Sequence, residues 1–169
     1  EEMVEKRVSA TEMYQWLQDR LKGRLLVDKS PNYALDRATL ERAEAAFDAP
    51  FFIHLTRNPF GMIRSFEEAK MEQIFRHDNA FSRRELAELS WAVSHDNIQK
   101  FLQNIPADRQ FELRYEDMVQ EPEATIAALC EAIGIDFKPE MLEVYKQGET
   151  RMTDGVHEES RMIGDVKFH

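Results

Sequence analysis

The stretch HLTRNPFGMIRSFEEAK, residues 54–70, decides how this chain is read. Phe51, Phe52 and Ile53 precede it, so an apolar run that includes Leu55 leads into it. A short run of this kind fits a central strand of a parallel sheet, buried on both faces. From Pro59 onward the spacing changes and predicts a helix as far as about Arg76. Arg57, Asn58 and Pro59 stand at the change. Asparagine is a good N-cap and proline a good first helical residue. A permanent, fork-shaped cation therefore sits where a buried strand hands over to a helix start, which carries its own partial positive charge. Ser65, two turns into the helix, adds a hydroxyl. Two readings remain open on these residues. The group binds an anion such as a phosphate, or Arg57 pairs with a structural carboxylate.

The rest of the chain extends the pattern. Ser9 and Glu12 form a capping box for a helix through Met13, Trp16, Leu17 and Leu21 that stops near Gly23. RLLVD, residues 24–28, reads as a short buried strand and KSPNYAL as a turn around Pro31. RATLERAEAAF reads as a helix, PFFIHLT as a strand, and HDNAF breaks the helix that follows. Ser82 and Glu85 make a second capping box for a long helix to about Leu102. FELRY is a strand; a loop and a helix from about Glu121 to Ile133 follow, with Pro122 in its first turn. PEMLEVY reads as a short helix. The alternation predicts an α/β fold, a parallel sheet covered by helices on both faces, in one domain spanning residues 1–169.

Composition limits the function. The 169 residues suffice for one core, and 43% hydrophobic content excludes a disordered chain. A formal net charge of −10 argues against nucleic acid and against a basic membrane-surface helix as partners. It leaves room for a single anion in a local positive pocket. No apolar run approaches the ~18 residues of a membrane span. The lone cysteine, Cys130, stands at helical apolar spacing as a small core residue. One cysteine fits a reducing compartment, and a cytoplasmic location is expected.

In parallel α/β sheets ligands bind beyond the carboxyl ends of the strands. The residues there are Asp28-Lys29-Ser30, Arg57-Asn58-Pro59 and Tyr115-Glu116-Asp117. Lys29 either reaches a bound anion or pairs with Asp28 or a neighbour. Tyr115 either lies beside a planar ligand or packs, with Glu116 and Asp117 capping the next segment.

LTRNPFGMIRSF resembles the 3′-phosphate-binding motif of sulfotransferases that use 3′-phosphoadenosine 5′-phosphosulfate (PAPS). That motif has an arginine, a proline two residues on and a serine eight residues on, matched by Arg57, Pro59 and Ser65. LLVDKSPNYA resembles the family's strand-plus-lysine element. FELRYEDMVQEPEATIAALCEAIGI resembles its later strand and helix, and SRMIGDVKF its C-terminal loop with a Gly-Asp pair. The four elements occur in the family's order from Leu25 to Lys167. The resemblance implies a sulfotransferase fold akin to the P-loop nucleotide hydrolases, with PAPS as donor and 3′-phosphoadenosine 5′-phosphate (PAP) as product. It implies that Arg57 and Ser65 bind the 3′-phosphate and that Tyr115 sits near the adenine. It places Lys29 near the sulfonate or the acceptor, and Ser160 and Arg161 near the phosphate-contacting positions of the C-terminal loop. That last match is looser, because the usual Arg-Lys-Gly is missing.

Two departures accompany the resemblance. The family's first strand and phosphate loop have no counterpart, since none of Gly23, Gly61, Gly134, Gly148, Gly155 and Gly164 lies in a phosphate-loop pattern. The chain thus resembles the C-terminal part of a sulfotransferase domain, and the loop would precede residue 1. Second, Pro31 stands where cytosolic relatives carry a histidine two residues after the lysine. The general base must then come from elsewhere, such as a glutamate before residue 1 or a histidine here. His157, near the cofactor loop, is the better candidate; His54 is mid-strand, His95 on the long helix, His77 in a loop and His169 terminal. No histidine pair has metal spacing, and the family needs no catalytic metal.

Within the family, residues 52–70, SHDNI and the segment from Arg151 are most similar to sulfotransferase domains of polyketide and olefin synthases. That implies a β-hydroxyacyl acceptor on an acyl carrier protein, in a larger multidomain chain. Arg76, Arg83 and Arg84 then stand as a docking patch or as a solvated helix start. The alternatives are a free-standing sulfotransferase for small molecules or glycans, and an inactive nucleotide-binding half-domain.

Overall fold

The computed structural model describes residues 8–74 and 80–143. His77 and Arg76 lie outside them, as do His157, Ser160, Arg161 and His169. The elements are α1 (Ala10–Arg20), α2 (Arg37–Ala46), β1 (Phe52–Thr56), α3 (Pro59–Glu68), α4 (Arg83–Leu102), β2 (Gln110–Arg114), α5 (Tyr115–Gln120) and α6 (Pro122–Ala132). Short 3-10 turns occupy Pro31–Leu35, Met71–Ile74, Ala107–Arg109 and Pro139–Leu142. The chain divides into two compact units, Glu1–Phe51 with Ala92–Arg109, and Phe52–Trp91 with Gln110–His169.

In the first unit α1 starts at the expected capping box. The Glu12 amide donates to Ser9 Oγ at 3.2 Å, and the Ser9 amide donates to the Glu12 carboxylate at 2.7 Å. Asp36 caps α2 by accepting from the Ala38 amide. Arg109 grips Glu44 of α2 with two nitrogens, at 2.7 and 3.2 Å, and also donates to the Pro50 carbonyl. Such a two-pronged pair fixes orientation as well as distance. Asn97 donates to the Ala34 carbonyl and so holds the turn after Pro31. The Arg24–Asp28 run, expected as a buried strand, is not a strand here. Leu25 and Val27 are exposed, at 54% and 73%. A strand needs a ladder partner, and among the described residues this run has none.

The second unit holds the sheet. β1 and β2 pair in parallel, with His54 beside Glu112, Leu55 beside Leu113 and Thr56 beside Arg114. Paired residues of a parallel ladder share a face. The buried residues His54 and Leu113 therefore lie on opposite faces. His54 is the one buried residue of β1 and Leu113 that of β2, and helices α5 and α6 pack against β2. Full cover of both faces was the expectation; among the described residues Ile53 and Leu55 are instead 40% and 53% exposed.

The α3 helix buries Ile63 and Phe66 against Ala87, with Met62, Met71 and Leu86 packed around them. It ends at Glu68, short of the expected Arg76, because Lys70 takes a left-handed φ of 53°. The segment after β2, expected as a loop, is helical from Tyr115, with Glu116 and Asp117 in its first turn. Acidic side chains there complement the helix dipole. Pro122 then restricts Glu121 and separates α5 from α6. Cys130 is buried in α6, as its spacing indicated.

The second capping box starts α4. Ser82 Oγ accepts from the Glu85 amide, and the Ser82 amide and hydroxyl both donate to the Glu85 carboxylate. These bonds, the backbone one first, hold the Glu85 carboxyl below its usual pKa. Ser82→Ala is expected to lower the unfolding free energy by about 1 kcal/mol in urea titrations at neutral pH. A carboxyl with a lowered folded pKa stabilises fully above its unfolded pKa of ~4.3 and loses that contribution as the pH falls through the folded value. The stability gap between wild type and Glu85→Gln is therefore expected to be full at neutral pH and to shrink in acid below about pH 4.

Candidate functional site

The carboxyl ends of β1 and β2 lie side by side, because the register ends on Thr56 beside Arg114. The next residues of each strand, Arg57 and Asn58, are thereby set against Tyr115 and Glu116. Asn58 performs the expected cap, its Oδ1 accepting from the Phe60 amide at 3.0 Å. Its own amide donates to Glu116 Oε1 at 2.8 Å. This bond, ahead of one from the backbone of Glu116 itself, pulls the Glu116 carboxyl below its usual pKa, with the charges of Arg114 and Arg57 adding to the effect. Glu116, for which capping of the following segment was one reading, accepts from its own backbone in the first turn of α5 and also closes the junction 58 residues earlier in sequence.

The Arg57 carbonyl accepts from the Trp91 indole N–H at 3.0 Å. Its guanidinium carbon lies 4.3 Å from the centroid of the Tyr115 ring. Among the described residues no carboxylate pairs with it. The reading in which Arg57 serves a structural ion pair thus finds no partner there. By contrast Arg64, Arg83, Arg84, Arg109 and Arg114 each face a carboxylate within 4 Å. Arg83 and Arg84, considered as part of a docking patch, are engaged with Glu72 and Glu88.

The Arg57 side chain runs back along α3. A Cβ added to Gly61 would lie 3.6 Å from its Nε and 4.0 Å from its Nη2. Gly61 and Ser65 are one turn apart on one helix face, so cation and hydroxyl are offered along the same side of α3. Ser65 is half-buried. Arg57, Ser65 and Tyr115 therefore belong to one unit, at the place where parallel α/β sheets take ligands.

Lys29 belongs to the first unit and is exposed. The Asp28 carboxylate accepts from the hydroxyls of Tyr14 at 2.8 Å and Ser30 at 2.9 Å. The first of these bonds raises the Tyr14 phenol well above its usual pKa. Asp28 is thus occupied by hydroxyls, and Lys29 makes no ion pair among the described residues. His54 is buried at 6% exposure, in keeping with a packed mid-strand histidine. The proposed base His157 and the loop residues Ser160 and Arg161 lie outside the described residues.

The sequence profile of the sulfotransferase family matches residues 2–139. The chain belongs to the sulfotransferase family. Two solved sulfotransferase structures resemble it. The sulfotransferase domain from the curacin biosynthetic pathway is 39% identical, with a TM-score of 0.82 over 94% of this chain and 55% of that one. The sulfotransferase domain from the Synechococcus PCC 7002 olefin synthase is 34% identical, with a TM-score of 0.76 over 84% of this chain and 48% of that one. The chain thus spans about half the length of the solved domains it matches. No curated protein matches it. The α/β sulfotransferase fold and the likeness to polyketide and olefin synthase domains, both expected from the motifs, are borne out.

The sequence places Glu116 at the end of β2 but gives no sign that it serves Asn58, and it gives Trp91 no place in this junction. The one available signal for Trp91 was that a half-buried indole N–H requires an acceptor. Trp91→Phe leaves the Arg57 carbonyl without that donor and is expected to cost about 1–2 kcal/mol of stability, measured by urea unfolding.

Proposed function

We propose that this sulfotransferase-family chain takes part in sulfonyl transfer from PAPS to an acceptor hydroxyl, and that the junction after β1 holds the donor's 3′-phosphate. The observation that carries this reading is Arg57, a permanent cation at a strand-to-helix switch with no carboxylate partner among the described residues. A phosphate fits such a place: it takes several N–H donors in a fork, and the first turn of α3 adds favourable partial charge. Ser65 supplies a hydroxyl on the same helix side. Tyr115 is assigned beside the adenine, and Ser160 and Arg161 to the same nucleotide from the C-terminal segment.

Bound PAPS supplies an activated sulfonyl group. Lys29, exposed and without an ion pair among the described residues, is assigned to stabilise negative charge at the sulfonate or the acceptor. His157 is assigned to take the proton from the acceptor hydroxyl. The acceptor we assign is a β-hydroxyacyl chain on an acyl carrier protein, within a multidomain synthase of the cytoplasm. Support for it comes from the two solved relatives, which are domains of a biosynthetic pathway and of an olefin synthase. No described helix is long and apolar enough to cross a membrane.

PAP is expected to raise the melting temperature of the purified protein, and Arg57→Ala to weaken PAP binding at least about tenfold, as loss of a charge-assisted phosphate contact does. Unchanged PAP affinity in Arg57→Ala would remove the site assignment. Labelled PAPS offered with carrier-bound β-hydroxyacyl chains, free alcohols or sugars is expected to label the carrier-bound chain preferentially. Equal labelling would point to a free-standing small-molecule or glycan enzyme.

A further inference from the structure

Tyr115 and Gly61 contact the same guanidinium from different elements. The Tyr115 ring lies 4.3 Å from its carbon, within the range of a cation–π contact. On α3, the missing side chain of Gly61 leaves the space that Nε and Nη2 approach. Glycine inside a helix is disfavoured by about 1 kcal/mol relative to alanine, and here its φ is an ordinary helical one that does not call for glycine. A Cβ there would make ordinary contact with the Arg57 side chain, so the open surface excludes side chains longer than alanine rather than alanine itself.

The chemistry of this clamp differs from that of a salt bridge. A carboxylate would orient Arg57 by taking up its N–H donors and offsetting its charge. An aromatic face orients the same plane and uses none of its five N–H groups. The junction carboxylate Glu116 accepts from the Asn58 amide and feels the Arg57 charge without forming an ion pair with it. Among the described residues the guanidinium is thus held in place with no carboxylate on its donors, which leaves them for a ligand.

We infer that Tyr115 is a positioning residue for Arg57, holding its guanidinium against Gly61 so that the fork is preset for the 3′-phosphate. This rests on the assignment of the 3′-phosphate to Arg57. It gives Tyr115 a role that acts through Arg57, separate from any contact with the adenine.

The two roles are distinguished by the ratio of affinities for PAP and for adenosine 5′-phosphate, which lacks the 3′-phosphate. Calorimetry on the purified protein reads this ratio. Arg57→Ala is expected to abolish the preference for PAP. Tyr115→Phe, which keeps the ring, is expected to keep the ratio within about twofold, and Tyr115→Leu to cut it by about fivefold, the scale of a partly buried cation–π contact. Gly61→Ala adds a Cβ at ordinary contact distance and is expected to leave the ratio alone. Gly61→Leu, with a better helix former, is expected to displace the guanidinium and lower the ratio, so it decides the matter even where Tyr115→Leu does not fold. An equal loss for both nucleotides in Tyr115→Leu, or an unchanged ratio in Tyr115→Leu or Gly61→Leu, overturns the positioning role. A ratio unchanged in Arg57→Ala, or no preference for PAP in the wild type, overturns the 3′-phosphate assignment itself.

Discussion

The parallel register of β1 and β2 is the constraint on which the candidate site depends. With Thr56 beside Arg114, the two strands end level, and the residues that follow meet in pairs. Arg57 finds the Tyr115 ring, and Asn58 finds the Glu116 carboxylate. A slip of one residue would turn each side chain of the slipped strand to the other face. The aromatic support would go, and with it the acceptor for the Asn58 amide. No local propensity at Arg57 could restore either.

Around that register the junction is closed by polar bonds of different origin. Asn58 caps α3 locally, while Glu116 and Trp91 reach it from 58 and 34 residues away. Between them they satisfy backbone groups at the point where the ladder of β1 has ended and α3 has only begun. A strand end and a helix start both expose unpaired backbone groups, so a junction of the two needs outside partners. These partners leave the Arg57 side chain out of the closure. Among the described residues the cation meets an aromatic face and a glycine, and no carboxylate takes up its donors, although its charge is felt by Glu116.

The elements with strong local signals were readable from sequence. Both capping boxes and Pro59 and Pro122 at helix starts rest on contacts within a few residues, while the apolar run into Thr56 was legible but needed β2 to complete its ladder. The Arg24–Asp28 run carried the same kind of apolar signal as β1 but did not become a strand. Its composition describes one side of a ladder and says nothing of the other side. The expected extension of α3 failed for a conformational reason, the left-handed turn at Lys70, which no apolar spacing encodes.

The sequence by itself determined the α/β class and the placing of a permanent cation, Arg57, beside a helix start, and it showed the resemblance of Arg57, Pro59 and Ser65 to a sulfotransferase motif. The first two follow from residue type and short spacing, which act through nearest neighbours along the chain. Tertiary structure decided that Arg57 has an aromatic partner and no carboxylate among the described residues, that Glu116 serves Asn58, and that Trp91 holds the Arg57 carbonyl. Each of these is a contact between segments tens of residues apart, selected by strand register and helix packing. Such contacts leave no periodic trace in the sequence, because either partner alone looks like an ordinary half-buried polar or aromatic residue.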